Sequence, residues 1–209
     1  MDTKFDKRKS SIAITVPRFT LKKKHDEWFE GKYNEPYILS LAVDTANTEM
    51  PGIAFNMMPF PKIAEGGTVT MLGDGHLVYG PANPGEFVAI SILMMEADSD
   101  IRTRGKILED FIKSKAVDLG FKLIIASNPG AAAILALTKE LTQFLAGLLK
   151  ENKDDELFRI EGTFLRDGTV PYHINREYQN SNEYVELSVK VIPLAETNGQ
   201  GEEVKKIIL

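Results

Sequence analysis

The chain has no cysteine among its 209 residues. This excludes disulfide scaffolds, thiolate zinc sites, iron–sulfur clusters and cysteine nucleophiles. Histidine is scarce too: His25, His76 and His173 stand far apart. No G-x-S-x-G, P-loop, H-E-x-x-H or G-x-G-x-x-G pattern occurs, so no catalytic residue is assigned. Any metal is therefore expected to be a hard, oxygen-bound cation. No apolar run approaches the roughly 20 residues that cross a bilayer as a helix. The opening MDTKFDKRKSS is charged and no apolar h-region follows it. The expected location is the cytoplasm, or outside by a route that needs no N-terminal signal peptide. No repeat of 20–50 residues is visible, against a solenoid or propeller.

What is present is ordinary for a globular chain: 43% hydrophobic and 26% charged residues. At about 150 residues per domain, the length corresponds to one domain with a surplus. The net charge of −5 argues against a general nucleic-acid binder. That charge is uneven. Residues 1–32 hold nine Lys and Arg against five acids, a surplus of +4, which leaves −9 for the remainder.

Period-two patterning dominates the first hundred residues. Ile12, Ile14 and Val16 alternate with small or polar residues, and Pro17 predicts an edge or bulged position. Residues 36–44 (PYILSLAVD) and 87–95 read as buried strands, and 53–55 as a short one. Gly73-Asp74-Gly75 between 68–72 and 76–79 reads as a hairpin turn. The period then changes. Ile101, Leu108, Phe111, Ile112 and Leu119 sit at helical spacing, with Gly120 as a stop. Asn128-Pro129 starts a second helix whose stripe is Ile134, Leu137, Leu141, Phe144, Leu145 and Leu148. Alternation returns at Phe158, Ile160, Gly162 and Phe164, and again at Val185, Leu187, Val189 and Val191. About eight strands are expected. The fold class is mainly β (α+β): an antiparallel β-sandwich with an inserted two-helix hairpin over about 98–153. Residues 1–194 form one domain. Residues 195–209 form a flexible C-terminal tail with an apolar end.

The opening of the chain carries a resemblance. A first strand ending in charged residues, a Trp-containing loop and Asn34-Glu35-Pro36-Tyr37-Ile38-Leu39 entering a second strand resemble C2-like β-sandwich domains. The acidic residues in Leu93–Asp100 and Asp154–Phe158 are similar in kind. The resemblance implies calcium, anionic lipid or a protein as ligand. The long helical insertion departs from it.

Five groups of residues are candidate sites. In an up-and-down topology the connections after Val43, Leu72 and Met95 fall at one end. Asp44, Asp98, Asp100 and Asp155 would gather there, with Asp74 and Asp154 nearby, as oxygen ligands for calcium. The competing reading is that these are caps and turn residues. Lys22, Lys23 and Lys24, with Trp28 and Phe29, could meet an anionic membrane surface. They could equally be a lysine-protected strand edge. His173 with Asp167 offers an acid–base pair, against loop histidines of no special role. The amphipathic helix pair could dock or open onto a membrane, or simply pack on the sheet. The tail, ending Ile207-Ile208-Leu209, could dock on a neighbouring copy and make an oligomer. The function expected is a non-catalytic binding module for a protein or an anionic membrane, with calcium as an aid. The alternative is a secreted or delivered effector or toxin acting through the hairpin or a dispersed catalytic site.

Overall fold

The computed structural model describes residues 5–23, 33–46, 52–97, 130–151 and 154–194. Within them the chain is mainly β, with two larger antiparallel sheets and one helix. The first sheet contains β1 (Ser11–Leu21), β6 (Thr68–Thr70), β7 (His76–Ala82), β10 (Arg176–Ser181) and β11 (Val185–Leu194). Its order is β10-β11-β1, with β6 and β7 both on the far side of β1. The second sheet has the order β4-β3-β8-β9, from Ile53–Pro59, Pro36–Asp44, Phe87–Glu96 and Asp155–Leu165. A small pair, β2 (Tyr33–Asn34) and β5 (Ile63–Ala64), lies apart.

The sandwich-like core follows from side-chain parity. Ile12, Ile14, Val185, Leu187, Val189 and Val191 of the first sheet cluster with Ile38, Ala42, Ile90, Ile92 and Met94 of the second. The odd-numbered residues of β3 and β8 face the other way. Tyr37, Leu39, Leu41, Leu93 and Met95 meet Leu141, Leu145 and Leu149 of α1 (Ala131–Glu151). Every residue of β3 and β8 is therefore buried. Such two-sided burial is usual for parallel strands under helices. Here it arises because one antiparallel sheet is covered by its partner sheet on one face and by α1 on the other. Each buried leucine of α1 contributes about 1.5–3 kcal/mol, which holds the helix on the sheet.

Several expectations change. One helix stands among the described residues, so a two-helix hairpin is not what they show. The expected first helix lies outside them. Of the two positions expected for Pro17, an edge or a bulge, the structure has the bulge, because β1 is paired on both sides. The ladder tolerates it through a register shift between Thr15 and Arg18. The Gly73-Asp74-Gly75 hairpin is not formed. β6 and β7 both run antiparallel to β1, one after the other, so residues 71–75 make an excursion from one interrupted strand. Gly75 has φ +101, and a Cβ there would lie 2.4 Å from the Val16 carbonyl oxygen. The glycine serves a close backbone pass, not a reversal of direction. β10, with its exposed sequence REYQNS, was not anticipated.

Candidate functional site

The two sheets meet along two margins, and the margins differ. At the β4/β7 margin the Asn56 side chain donates to the Leu77 carbonyl at 3.1 Å. The Tyr79 hydroxyl donates to Asp44 at 2.6 Å. Asp44 also accepts from the backbone N–H groups of Ala46 and Gly52, at 3.1 and 3.2 Å. Burial, and then the neighbouring Asp44 carboxylate, push the Tyr79 hydroxyl far above its usual pKa. This margin is sealed.

The β9/β10 margin is open. A cavity of about 310 Å³ lies there between Ile90, Ile160, Phe164 and Val189 on the apolar side and His173 and Tyr178 on the polar side. Gly162 lines it as well, and a Cβ built on Gly162 would meet nothing within 4 Å. Among the described residues both flanking strands are sheet edges. Ladder geometry tells which main-chain groups are left over. Arg166 N–H donates to Glu86 at 2.8 Å, so the even residues of β9 bond to β8. The main-chain groups of Glu161 and Thr163 then point to the open edge. Asn182 N–H donates to Val185 at 3.0 Å, so the even residues of β10 bond to β11. Those of Glu177 and Gln179 point outwards.

One wall of the cleft is strained. Tyr172, His173 and Asn175 have φ of +50, +57 and +59. A non-glycine residue held in this region costs about 1–3 kcal/mol, and such residues concentrate at functional sites. The strain is over-determined from below. The fully buried Tyr172 directs its hydroxyl to the Gly85 carbonyl at 2.5 Å, with the Lys7 carbonyl at 3.0 Å. Burial raises its pKa to about 12, so it stays a donor. His173 is thereby held against β10, where its Nδ1 hydrogen-bonds the Tyr178 hydroxyl. Phe164 sets its edge to the His173 ring at 6.0 Å.

The residues singled out in the sequence fare differently. Asp44 ends β3 opposite Val88, and Asp155 opens β9 opposite Glu96. Eight residues of β8 separate these positions, about 26 Å along the strand. The four-aspartate gathering is thus corrected: β3 and β8 are direct antiparallel neighbours, so their C-terminal ends lie at opposite ends of the sheet. Asp98 and Asp100 lie outside the described residues. No cluster of three or more Asp, Glu or His placed to hold a metal occurs among the described residues. Asp154 is fully buried and accepts from the Tyr37 hydroxyl at 2.7 Å, fastening the end of α1 to β3. His173 does not pair with Asp167. That carboxylate bonds Lys7 at 2.5 Å, which holds it below its usual pKa. Lys22 donates to the Asn182 carbonyl at 2.6 Å, and Lys23 lies 5.8 Å from the centre of the Tyr184 ring. Lys24, Trp28, Phe29, Ile207, Ile208 and Leu209 lie outside the described residues.

His173 is a candidate in the sequence, but its partner is Tyr178 and not Asp167, and Tyr178 carries no sequence signal. The available hint was Gly162, a glycine in the inward series Phe158, Ile160, Phe164, where a large side chain is expected. No protein-family model, curated protein or solved structure matches this chain.

Proposed function

We propose that the protein is a non-catalytic binding module that takes an extended peptide at the β9/β10 margin. Its scaffold in this reading is a C2-like sandwich with residues 98–153 inserted between β8 and β9. The observation that carries the reading is the conjunction of an apolar cavity with two strand edges that no described strand pairs. A peptide strand added to such an edge gains main-chain hydrogen bonds. Alternate side chains of the same strand enter the cavity. The volume suits one or two apolar side chains and lies at the low end for ligand pockets. Specificity comes from the His173–Tyr178 wall, which rejects a group that cannot hydrogen-bond or stack there.

The test is a display selection of random extended heptapeptides on the full chain, counter-screened on Gly162→Val. Valine suits a strand and fills the open space over residue 162. Peptides with apolar residues at alternate positions are expected to bind the natural chain and lose binding at least tenfold to the variant. Equal enrichment on both chains would remove the cleft as the site. Calcium and vesicles of anionic lipid added to the same chain test the loop-end and lysine readings. An unchanged melting temperature and no vesicle co-sedimentation would remove those.

A further inference from the structure

We infer that the cleft's resident occupant is the protein's own segment Val204–Leu209, bound in cis as an added strand on β10. The inference rests on the cleft being a peptide site, and it names the peptide. Three observations point to it. The first is reach. β11 ends at Leu194, and Val189, which lines the cleft, lies five residues back, about 17 Å along the strand. Residues 195–203, AETNGQGEE, are nine polar and small residues. A linker of that length and composition spans about 15–18 Å root-mean-square. Span and linker therefore match, the condition under which a tethered segment reaches its highest effective concentration, on the order of millimolar.

The second is pattern. In an extended strand Ile207 and Leu209 share one face, while Lys206 and Ile208 share the other. Two apolar side chains on one face match the open space over Gly162, bounded by Ile160 and Phe164. The third is the approach. β10 begins with Arg176, which pairs with Val191, so the end of β10 nearest Leu194 is the end the segment meets first. The Glu177 and Gln179 main-chain groups face outwards there, ready to pair. A partner peptide must displace this segment, so the tail sets a threshold for binding.

The absence of native cysteine makes the test direct. A nitroxide is attached to Ile208→Cys, on the outward face, in the full isotope-labelled chain. Amide signals of Glu161, Gly162 and Gln179 are expected to lose most of their intensity, independently of concentration. The loss should vanish in Gly162→Val and in Gln179→Pro. The proline blocks strand addition without filling the cavity, and the N–H it removes faces the open edge. No broadening, or broadening seen only when labelled and unlabelled chains are mixed, overturns the inference. The second result would mean docking in trans. The peptide display is repeated on the full chain carrying Ile207→Asp and Leu209→Asp, and enrichment is expected to rise. Cleft-directed peptides without broadening would defeat the tail and leave the peptide site standing. Neither result would defeat both.

Discussion

The sealed and open margins of the sandwich solve the same problem in opposite ways. Both must close a gap between two sheets. At β4/β7 the gap is closed by side chains: Asn56 reaches across to Leu77, and Tyr79 reaches Asp44. At β9/β10 the gap is left open, and the strain is spent on holding one wall in place through Tyr172. The lesson is that polar groups do different work according to what surrounds them. Asp44 has three donors and little exposure, so it is a structural clasp. The His173–Tyr178 pair lines a cavity, so it stands where the proposed peptide would lie.

The largest expected effect comes from breaking the sealed margin. Asp44→Ala strands the buried Tyr79 hydroxyl and takes the acceptor from two backbone donors. The stranded Tyr79 hydroxyl costs about 1–3 kcal/mol, and the Ala46 and Gly52 donors can turn to water, so a loss of about 2–3 kcal/mol is expected in urea unfolding. Tyr79→Phe should lose less, since the backbone donors keep their acceptor. A loss below about 1 kcal/mol for Asp44→Ala would show that the margin is not held by this clasp.

Next in size is the support beneath the open margin. Tyr172→Phe removes a hydroxyl that serves the Gly85 and Lys7 carbonyls. A loss of about 1–2 kcal/mol is expected. The sharper readout is local. Without its anchor the 172–175 segment should relax, and the His173 ring signals should lose their contact with Tyr178 by nuclear Overhauser measurement. An intact His173–Tyr178 contact would mean the wall is held by something other than Tyr172.

Smaller still is the effect of filling the cavity. Gly162→Val adds a β-branched side chain to a strand and meets no neighbouring atom at its Cβ. A gain of about 0.5–1 kcal/mol is expected, since glycine weakens a strand interior by that order. A stabilised protein that has lost its peptide would separate the two roles of this margin.

Much of the fold was legible in the sequence because burial leaves a period. The alternation Val185, Leu187, Val189, Val191 is buried as read, and residues 36–44 form β3. What was not legible depends on pairing. Nothing local distinguishes a Gly73-Asp74-Gly75 hairpin from an excursion, because both use glycine at positive φ. The choice is made by β1, more than 50 residues earlier. The aspartates misled for the same reason: Asp44 and Asp155 look alike in sequence, and only the β3/β8 pairing sets them apart. β10 escaped notice because a nearly exposed strand has no apolar alternation to show.

The smallest expected effect concerns pH, and it again separates the margins. His76 opens β7, on the sealed side, and is buried with no hydrogen-bond partner at Nε2 among the described residues. Burial disfavours its charged form and lowers its pKa below the ordinary 6.5. Well above pH 6.5 the ring is neutral in both the folded and the unfolded chain, so it adds no pH dependence there. As pH falls below 6.5 the unfolded chain takes up the proton first, and stability falls with it until the folded-state pKa is passed. Urea midpoints measured between pH 8 and 5 should therefore decline on the acid side. His76→Phe should flatten that decline. An undiminished decline in His76→Phe would place the acid-sensitive group away from the sealed margin.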